Sequence, residues 1–206
     1  MNIVRYPHPS LRHPAKPLTA IDQKVRVYAG EMLALMYEAR GLGLAAPQVA
    51  LPYQMLVMNP TADPQQKEHE YTLINPVILD RKGSVEADEG CLSFPGLFQK
   101  IRRARSVKVQ AYNLEGQELL LDIAGATPEE LLRSRVVQHE IDHLHGILFI
   151  DKMGPIAKLS SRSSLKEFER DYRRAQERGE IPPDADIEKI LAELERQQHG
   201  EENGSA

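Results

Sequence analysis

The feature that most constrains this chain is the segment His139-Glu140-Ile141-Asp142-His143, which lies inside a strongly signalled helix. Thr127 supplies an N-cap, Pro128 takes the first helical position and Glu130 closes a capping box, so a helix is predicted from Thr127 to near Gly146. Residues four apart on a helix share a face, with about 5–6 Å between Cβ atoms. His139 and His143 can therefore hold one metal ion, and Glu140, next to the first of them, can act as general base toward water. The bland reading is a coincidental pair of satisfied histidines.

A catalytic site of this kind takes three protein ligands and leaves one position for water or substrate. A metzincin continuation needs histidine at position 149, which is Phe149. The chain has a single cysteine, Cys91, so it cannot form an intramolecular disulfide, which points to a reducing compartment. Cys91 lies in Glu89-Gly90-Cys91-Leu92-Ser93, where the flanking glycine permits close backbone approach and a thiolate would bring negative charge to a metal. A Cys-His-His site is expected. His8, His13, His69, His145 and His199 lack supporting motifs, and His145, two residues after His143, should point away from the ligand face.

Elsewhere the pattern reads as α+β. Pro7, Pro9, Pro14 and Pro17 suggest an extended arm laid over the surface. A helix is predicted from Asp22 to Arg40, capped by Thr19 and Asp22, with Val25, Tyr28, Met32 and Met36 near helical spacing and Gly41 as its stop. Gln54–Met58, Tyr71–Leu79 and Ser84–Asp88 are apolar extended stretches, and Ser106–Tyr112 with Glu118–Ile123 form a predicted hairpin around Asn113, Glu115 and Gly116. The expected architecture is short, mostly antiparallel sheets around the central histidine-bearing helix. A catalytic domain is expected over residues 1–155, followed by a charged helical extension, 156–206, that is not an independent domain. The extension divides into a helix from Ile156 to Arg178 and a short weak helix beyond Gly179–Pro183.

Composition narrows the partners. A formal net charge of −4 gives no global attraction to nucleic acid, and no apolar run is long enough to span a bilayer. The N-terminus carries neither a signal core nor a clean transit pattern, so the expectation is a cytoplasmic protein that binds neither DNA nor membrane.

Three separated blocks then carry a specific resemblance. Gly41-Leu42-Gly43-Leu44-Ala45-Ala46-Pro47-Gln48, Glu89-Gly90-Cys91-Leu92-Ser93 and Gln138-His139-Glu140-Ile141-Asp142-His143-Leu144 resemble, in order and spacing, the three signature motifs of peptide deformylases. The resemblance covers roughly residues 1–155. It implies antiparallel sheets around the histidine helix, Cys91, His139 and His143 as metal ligands, Glu140 as the proton-handling residue, and the Gln48 amide with the Leu92 backbone N–H as donors to the formyl oxygen. The implied reaction is removal of the N-formyl group from formyl-methionyl peptides, with Fe²⁺ as the natural ion and Zn²⁺, Ni²⁺ or Co²⁺ as other occupants. Leu42, Gly43, Glu89, Gly90 and Val136 are the candidate substrate contacts, Leu42 and Val136 for the methionine side chain. After Ser93 the chain reads Phe94-Pro95-Gly96-Leu97-Phe98-Gln99, without the arginine of some bacterial members, and so looks closer to the branch with chloroplast and related bacterial enzymes. Family members can dock on the ribosome through a C-terminal helix, which is compatible with the one expected here.

Two other classes stand beside this reading: a small metalloprotease, which needs a third ligand other than Cys91, and a binding module with a structural metal, which needs a fourth protein ligand. An ion pair between Arg103 and Asp142 is expected to support the ligand helix.

Overall fold

The computed structural model of the protein describes residues 1–198. Helix α1 (Gln23–Glu38) precedes strands β1 (Gly43–Ala45), β2 (Met55–Met58), β3 (Tyr71–Lys82), β4 (Val85–Gly90), β5 (Phe98–Arg103), β6 (Ser106–Tyr112) and β7 (Glu118–Ile123). Helices α2 (Pro128–Leu144), α3 (Pro155–Glu177) and α4 (Asp184–Gln198) follow. β1-β2-β3-β6-β7 form one antiparallel sheet, and β4 with β5 form a separate antiparallel hairpin. This is the α+β arrangement the sequence predicts, with the histidine helix at its centre.

Helix α2 is central because it is buried on both faces from Ser134 onward. Val137, Ile141 and Leu144 share a core with Leu56, Leu73 and Val109 of the sheet, and burying each such side chain stabilises the fold by about 1.5–3 kcal/mol. Its N-cap is as predicted, the Thr127 hydroxyl accepting the Glu130 N–H at 3.2 Å, but the Glu130 carboxylate reaches one residue past the N-cap, to the Ala126 N–H at 2.7 Å, so the capping box is not closed on Thr127 itself.

Helix α1 buries Val25, Ala29, Met32 and Met36. Its cap differs from expectation, since Asp22 alone accepts the Val25 N–H at 2.8 Å while Thr19 donates to the Gln198 carbonyl at 3.1 Å. Nor does Gly41 supply the left-handed stop; Arg40 does, at φ 56°.

Three expectations need larger corrections. Strand β5 had no counterpart in the sequence reading, because its inward positions are Ile101 and Arg103, and a buried arginine breaks the apolar alternation. The N-terminal arm is not laid over the surface: Leu11 is fully buried, Val4 N–H donates to Gln48 O (2.8 Å), Tyr6 N–H to Ser93 O (3.1 Å) and Ala15 N–H to Leu144 O (2.9 Å). The arm takes one 3-10 turn over Pro9–Leu11 and satisfies carbonyls beside all three motifs. Finally, α4 is a 15-residue helix that buries Ile187 and Leu191, and Glu195 meets His13 of the arm at 2.7 Å.

Candidate active site

Strand β4 ends at Gly90, whose register partner is Phe98. A Cβ at Gly90 would lie 2.4 Å from the Phe98 ring, so glycine lets that ring lie against the strand at this point. Cys91 follows directly and its Sγ comes within 3.3 Å of His143 Nε2, which is 3.2 Å from His139 Nε2. The three ligand atoms lie within 4.8 Å of one another, the one such group among the described residues. One thiol and two imidazole nitrogens converging on a point are a donor set that fits a single transition-metal ion with a further position left for water or substrate.

The imidazoles are held from behind. His139 Nδ1 is 2.7 Å from Glu89 Oε1, which places the ring proton on Nδ1 and leaves Nε2 free to bind metal. Burial drives His143 well below its ordinary pKa, favouring the neutral form that a metal requires. Burial would raise the Glu89 carboxyl, but its hydrogen bond to His139 and the Arg103 guanidinium outweigh that and hold it well below the carboxylate range. Arg103 grips Glu89 with two bonds, at 2.6 and 3.0 Å, and also pairs with Asp142, as the sequence predicted.

Arg135 adds a further bond to Glu89 at 2.7 Å and donates to the carbonyls of Ile101 (2.9 Å) and Val85 (3.3 Å). It fastens the β4–β5 hairpin to α2. Sequence reasoning missed it, although a cation one turn before His139, next to apolar Val136 and Val137, was a visible signal.

Glu140 is buried, its Oε2 has no partner, and burial pushes its pKa up to about 7. The β1 backbone lies flat against this carboxylate, since a Cβ on Gly43 would fall 2.6 Å from Oε1. Gln48 Oε1 accepts the Ala45 N–H at 2.8 Å, which turns Nε2 toward Cys91 Sγ (3.4 Å) and Ser93 Oγ (3.3 Å). The amide N–H₂ is thus aimed at the metal ligands, beside the loop that carries Leu92.

These groups open into a cleft of about 570 Å³. Leu42, Gly43, Glu89, Gly90 and Val136 all line it, so every candidate substrate contact is brought to one place. Leu132 and Phe98 line it as well and were not anticipated. Leu132 sits one helical turn before Val136, a spacing that could have revealed it, whereas Phe98 arrives only through strand pairing. Phe149, at the position where a metzincin would have a ligand, packs edge-on against Phe94 with ring centroids 5.2 Å apart. His8 meets Ser10, His13 meets Glu195, and His145 meets the Ile141 carbonyl, so none of the three joins the site. His199 lies outside the described residues.

Comparison with known proteins gives the same picture. The family model for polypeptide deformylase matches residues 1–159. The peptide deformylase of Rhodopirellula baltica is 40% identical over 195 residues, covering 95% of this chain and 94% of that protein. That of Nitrosococcus oceani is 39% identical, covering 82% of this chain and 96% of its own length. Among solved structures, a variant of Arabidopsis thaliana peptide deformylase 1B superposes with a TM-score of 0.79 at 36% identity, covering 88% of this chain and 94% of that one. Plasmodium falciparum peptide deformylase gives 0.78 at 37% identity, covering 84% and 98%. The protease reading is not favoured, and the chain belongs to the polypeptide deformylase family.

Proposed function

We propose that this protein hydrolyses the N-formyl group of the first methionine of nascent polypeptides, releasing formate and a free amino terminus. The observation that carries the reading is the convergence of Cys91, His139 and His143 beside the Gln48 amide and a buried Glu140 whose Oε2 has no partner. A divalent ion held by the three ligands would supply the Lewis acidity that makes water nucleophilic near neutral pH. Glu140, whose pKa burial pushes up to about 7, takes a proton from the attacking water and delivers it to the departing amine nitrogen as the carbon–nitrogen bond breaks. The Gln48 Nε2 group and the Leu92 N–H donate to the formyl oxygen as negative charge develops there. Leu42 and Val136 receive the methionine side chain, and the close backbone at Gly43 and Gly90 admits a formyl hydrogen while excluding an acetyl methyl.

The donor set suits Fe²⁺ as well as Zn²⁺, Ni²⁺ and Co²⁺, and we take Fe²⁺ as the native ion on the family resemblance. No helix among the described residues is long and apolar enough to cross a membrane, and we take the site of action to be cytoplasmic on the family resemblance. We read residues 1–155 as the catalytic unit and 156–206 as an extension that does not fold alone. From Arg162 to Arg178 that extension carries six basic and four acidic residues, a modest basic helix suited to a ribosomal surface. Anaerobic purification with metal analysis, followed by assay on formyl-Met and acetyl-Met peptides, tests the reading: formate release from the first alone supports it, and inactivity of the iron-loaded protein on both defeats it.

A further inference from the structure

A second cavity of about 480 Å³ lies between the N-terminal arm, the Pro95–Leu97 turn and α3. Tyr6, Leu97 and Phe168 line it, together with Ser164 and Ala175 of α3. Pro95 and Gly96 line both this cavity and the catalytic cleft, so a single exposed turn separates the two. One aromatic cluster supports both sides: Phe94, which lines the cleft, stacks on Tyr6 at 5.0 Å and meets Phe168 edge-on at 5.8 Å. The Tyr6 N–H also donates to the Ser93 carbonyl at 3.1 Å, so the cavity is tied to the loop that carries Cys91.

We propose that this cavity binds the substrate polypeptide downstream of the formylated methionine, the chain crossing the Pro95–Gly96 turn as it leaves the cleft. This rests on the deformylase reading of the cleft. The chemistry of the walls favours that occupant. Three carboxylates, Glu167, Asp171 and Glu180, stand against Arg5 and Arg178, and Arg178 is already held by Glu180 at 2.7 Å. A small anionic ligand is therefore poorly served. Hydroxyls, aromatic faces and both signs of charge suit an extended peptide of varied sequence, which is the only substrate an enzyme acting on many new chains can rely on. Contacts beyond the reacting group add binding energy that the formyl-methionyl end alone cannot provide.

The test compares a formyl-Met tripeptide with a formyl-Met decapeptide on the metal-loaded protein, with Ser164→Trp and Ala175→Trp as cavity-filling variants. The expected result is a kcat/KM roughly tenfold higher for the decapeptide, equivalent to about 1.4 kcal/mol, lost in both variants while the tripeptide value holds. A wild-type protein with no length gain, or variants that keep it, would overturn the proposal. Failure of the tripeptide itself to react would instead bring down the deformylase reading. Should the tryptophan variants misfold, a decapeptide with benzoylphenylalanine near its C-terminal end decides the matter on the wild-type protein. Photo-adducts at Tyr6 or along α3 support the groove, and adducts confined to the β4–β5 hairpin or to other surfaces rule it out.

Discussion

Glu89 Oε1 lies 2.7 Å from His139 Nδ1, and the same carboxylate receives Arg103 and Arg135. One buried anion thus orients a metal-binding imidazole and fastens the β4–β5 hairpin to α2. Glu89→Gln keeps the shape but removes the charge that polarises His139, so metal affinity should fall about 10–100-fold in a chelator competition. Glu89→Ala also removes the carboxylate shared by two buried guanidiniums, leaving Arg103 with Asp142 and Arg135 with only the carbonyls of Ile101 and Val85, and breaking such a buried pair costs about 3–5 kcal/mol in denaturant unfolding. Unchanged metal affinity in Glu89→Gln would show that the carboxylate only packs.

Proton transfer and metal binding should separate by mutation. Glu140→Gln should retain metal and fold while turnover drops by about 10²–10⁴-fold, because an amide cannot shuttle the proton. Cys91→Ala should instead lower metal occupancy, since two neutral imidazoles remain to hold a dication. Air should inactivate an iron-loaded enzyme, whereas a Ni²⁺- or Zn²⁺-loaded form should resist the metal-centred part of that loss. Near-normal turnover in Glu140→Gln, or full occupancy in Cys91→Ala, contradicts the assigned roles.

The two glycines at the site should respond differently to one added methyl. A Cβ at Gly43 meets Glu140 Oε1, Cγ and Cδ at 2.6, 2.7 and 2.8 Å, and that buried side chain can yield only by shifting as a whole. Gly43→Ala should therefore displace the Glu140 carboxylate, the proposed general base, for which a shift of order 1 Å can cost about 10²-fold in turnover. At Gly90 the obstacle is the Phe98 ring, which is 67% exposed and can swing outward. Gly90→Ala should consequently be the milder change in kcat. The reverse order would mean that the hairpin, not β1, sets the carboxylate's position.

The metal centre was legible because helical spacing fixes His139 and His143 locally and the chain offers only one thiol. The Thr127 cap of α2 and the β6–β7 hairpin were legible for the same reason, as their signals lie within a few residues. What escaped depends on long-range contact. Arg135 looks like a surface cation until the hairpin folds over α2 and Glu89 meets it, and Arg103, whose pairing with Asp142 was expected, reaches the same carboxylate only through that fold. Phe98 reaches the cleft through its register with Gly90, and Leu11 is buried only because the arm threads beside the motifs. Apart from the spacing of Arg135 from His139, no local pattern encodes those pairings.

Stability should fall on acidification through His8. Burial depresses its pKa from 6.5 to about 4, and its Nδ1 accepts the Ser10 N–H at 3.3 Å, a role that protonation abolishes. The folded state therefore binds fewer protons than the unfolded chain. The sign follows: this contribution is complete above pH 6.5 and is lost as pH falls toward 4, the opposite of a histidine stabilised as a cation. His8 faces Tyr172 of α3, whose hydroxyl donates to Asp184 at 2.7 Å, so the C-terminal helices should loosen first. His8→Gln should flatten the slope of unfolding free energy against pH over that interval, and an unaltered slope would remove His8 as its source.

Truncation after Gly179 separates stability from chemistry. It removes α4 and with it the burial of Ile187 and Leu191, which are 5% and 1% exposed, the His13–Glu195 contact at 2.7 Å, and the bond from the Tyr53 hydroxyl to the Leu194 carbonyl at 3.3 Å. Each buried aliphatic side chain contributes about 1.5–3 kcal/mol, an upper estimate since unfolded chains already bury some surface. At about 2–4 °C per kcal/mol for a chain of this size, the melting temperature should fall by roughly 5–15 °C. No α4 residue lines the catalytic cleft, so hydrolysis of a formyl tripeptide should persist at temperatures where the shortened protein remains folded. Loss of that hydrolysis in a folded truncation would place α4 in the catalytic machinery. An unchanged melting temperature would mean that α4 does not clasp the arm in solution.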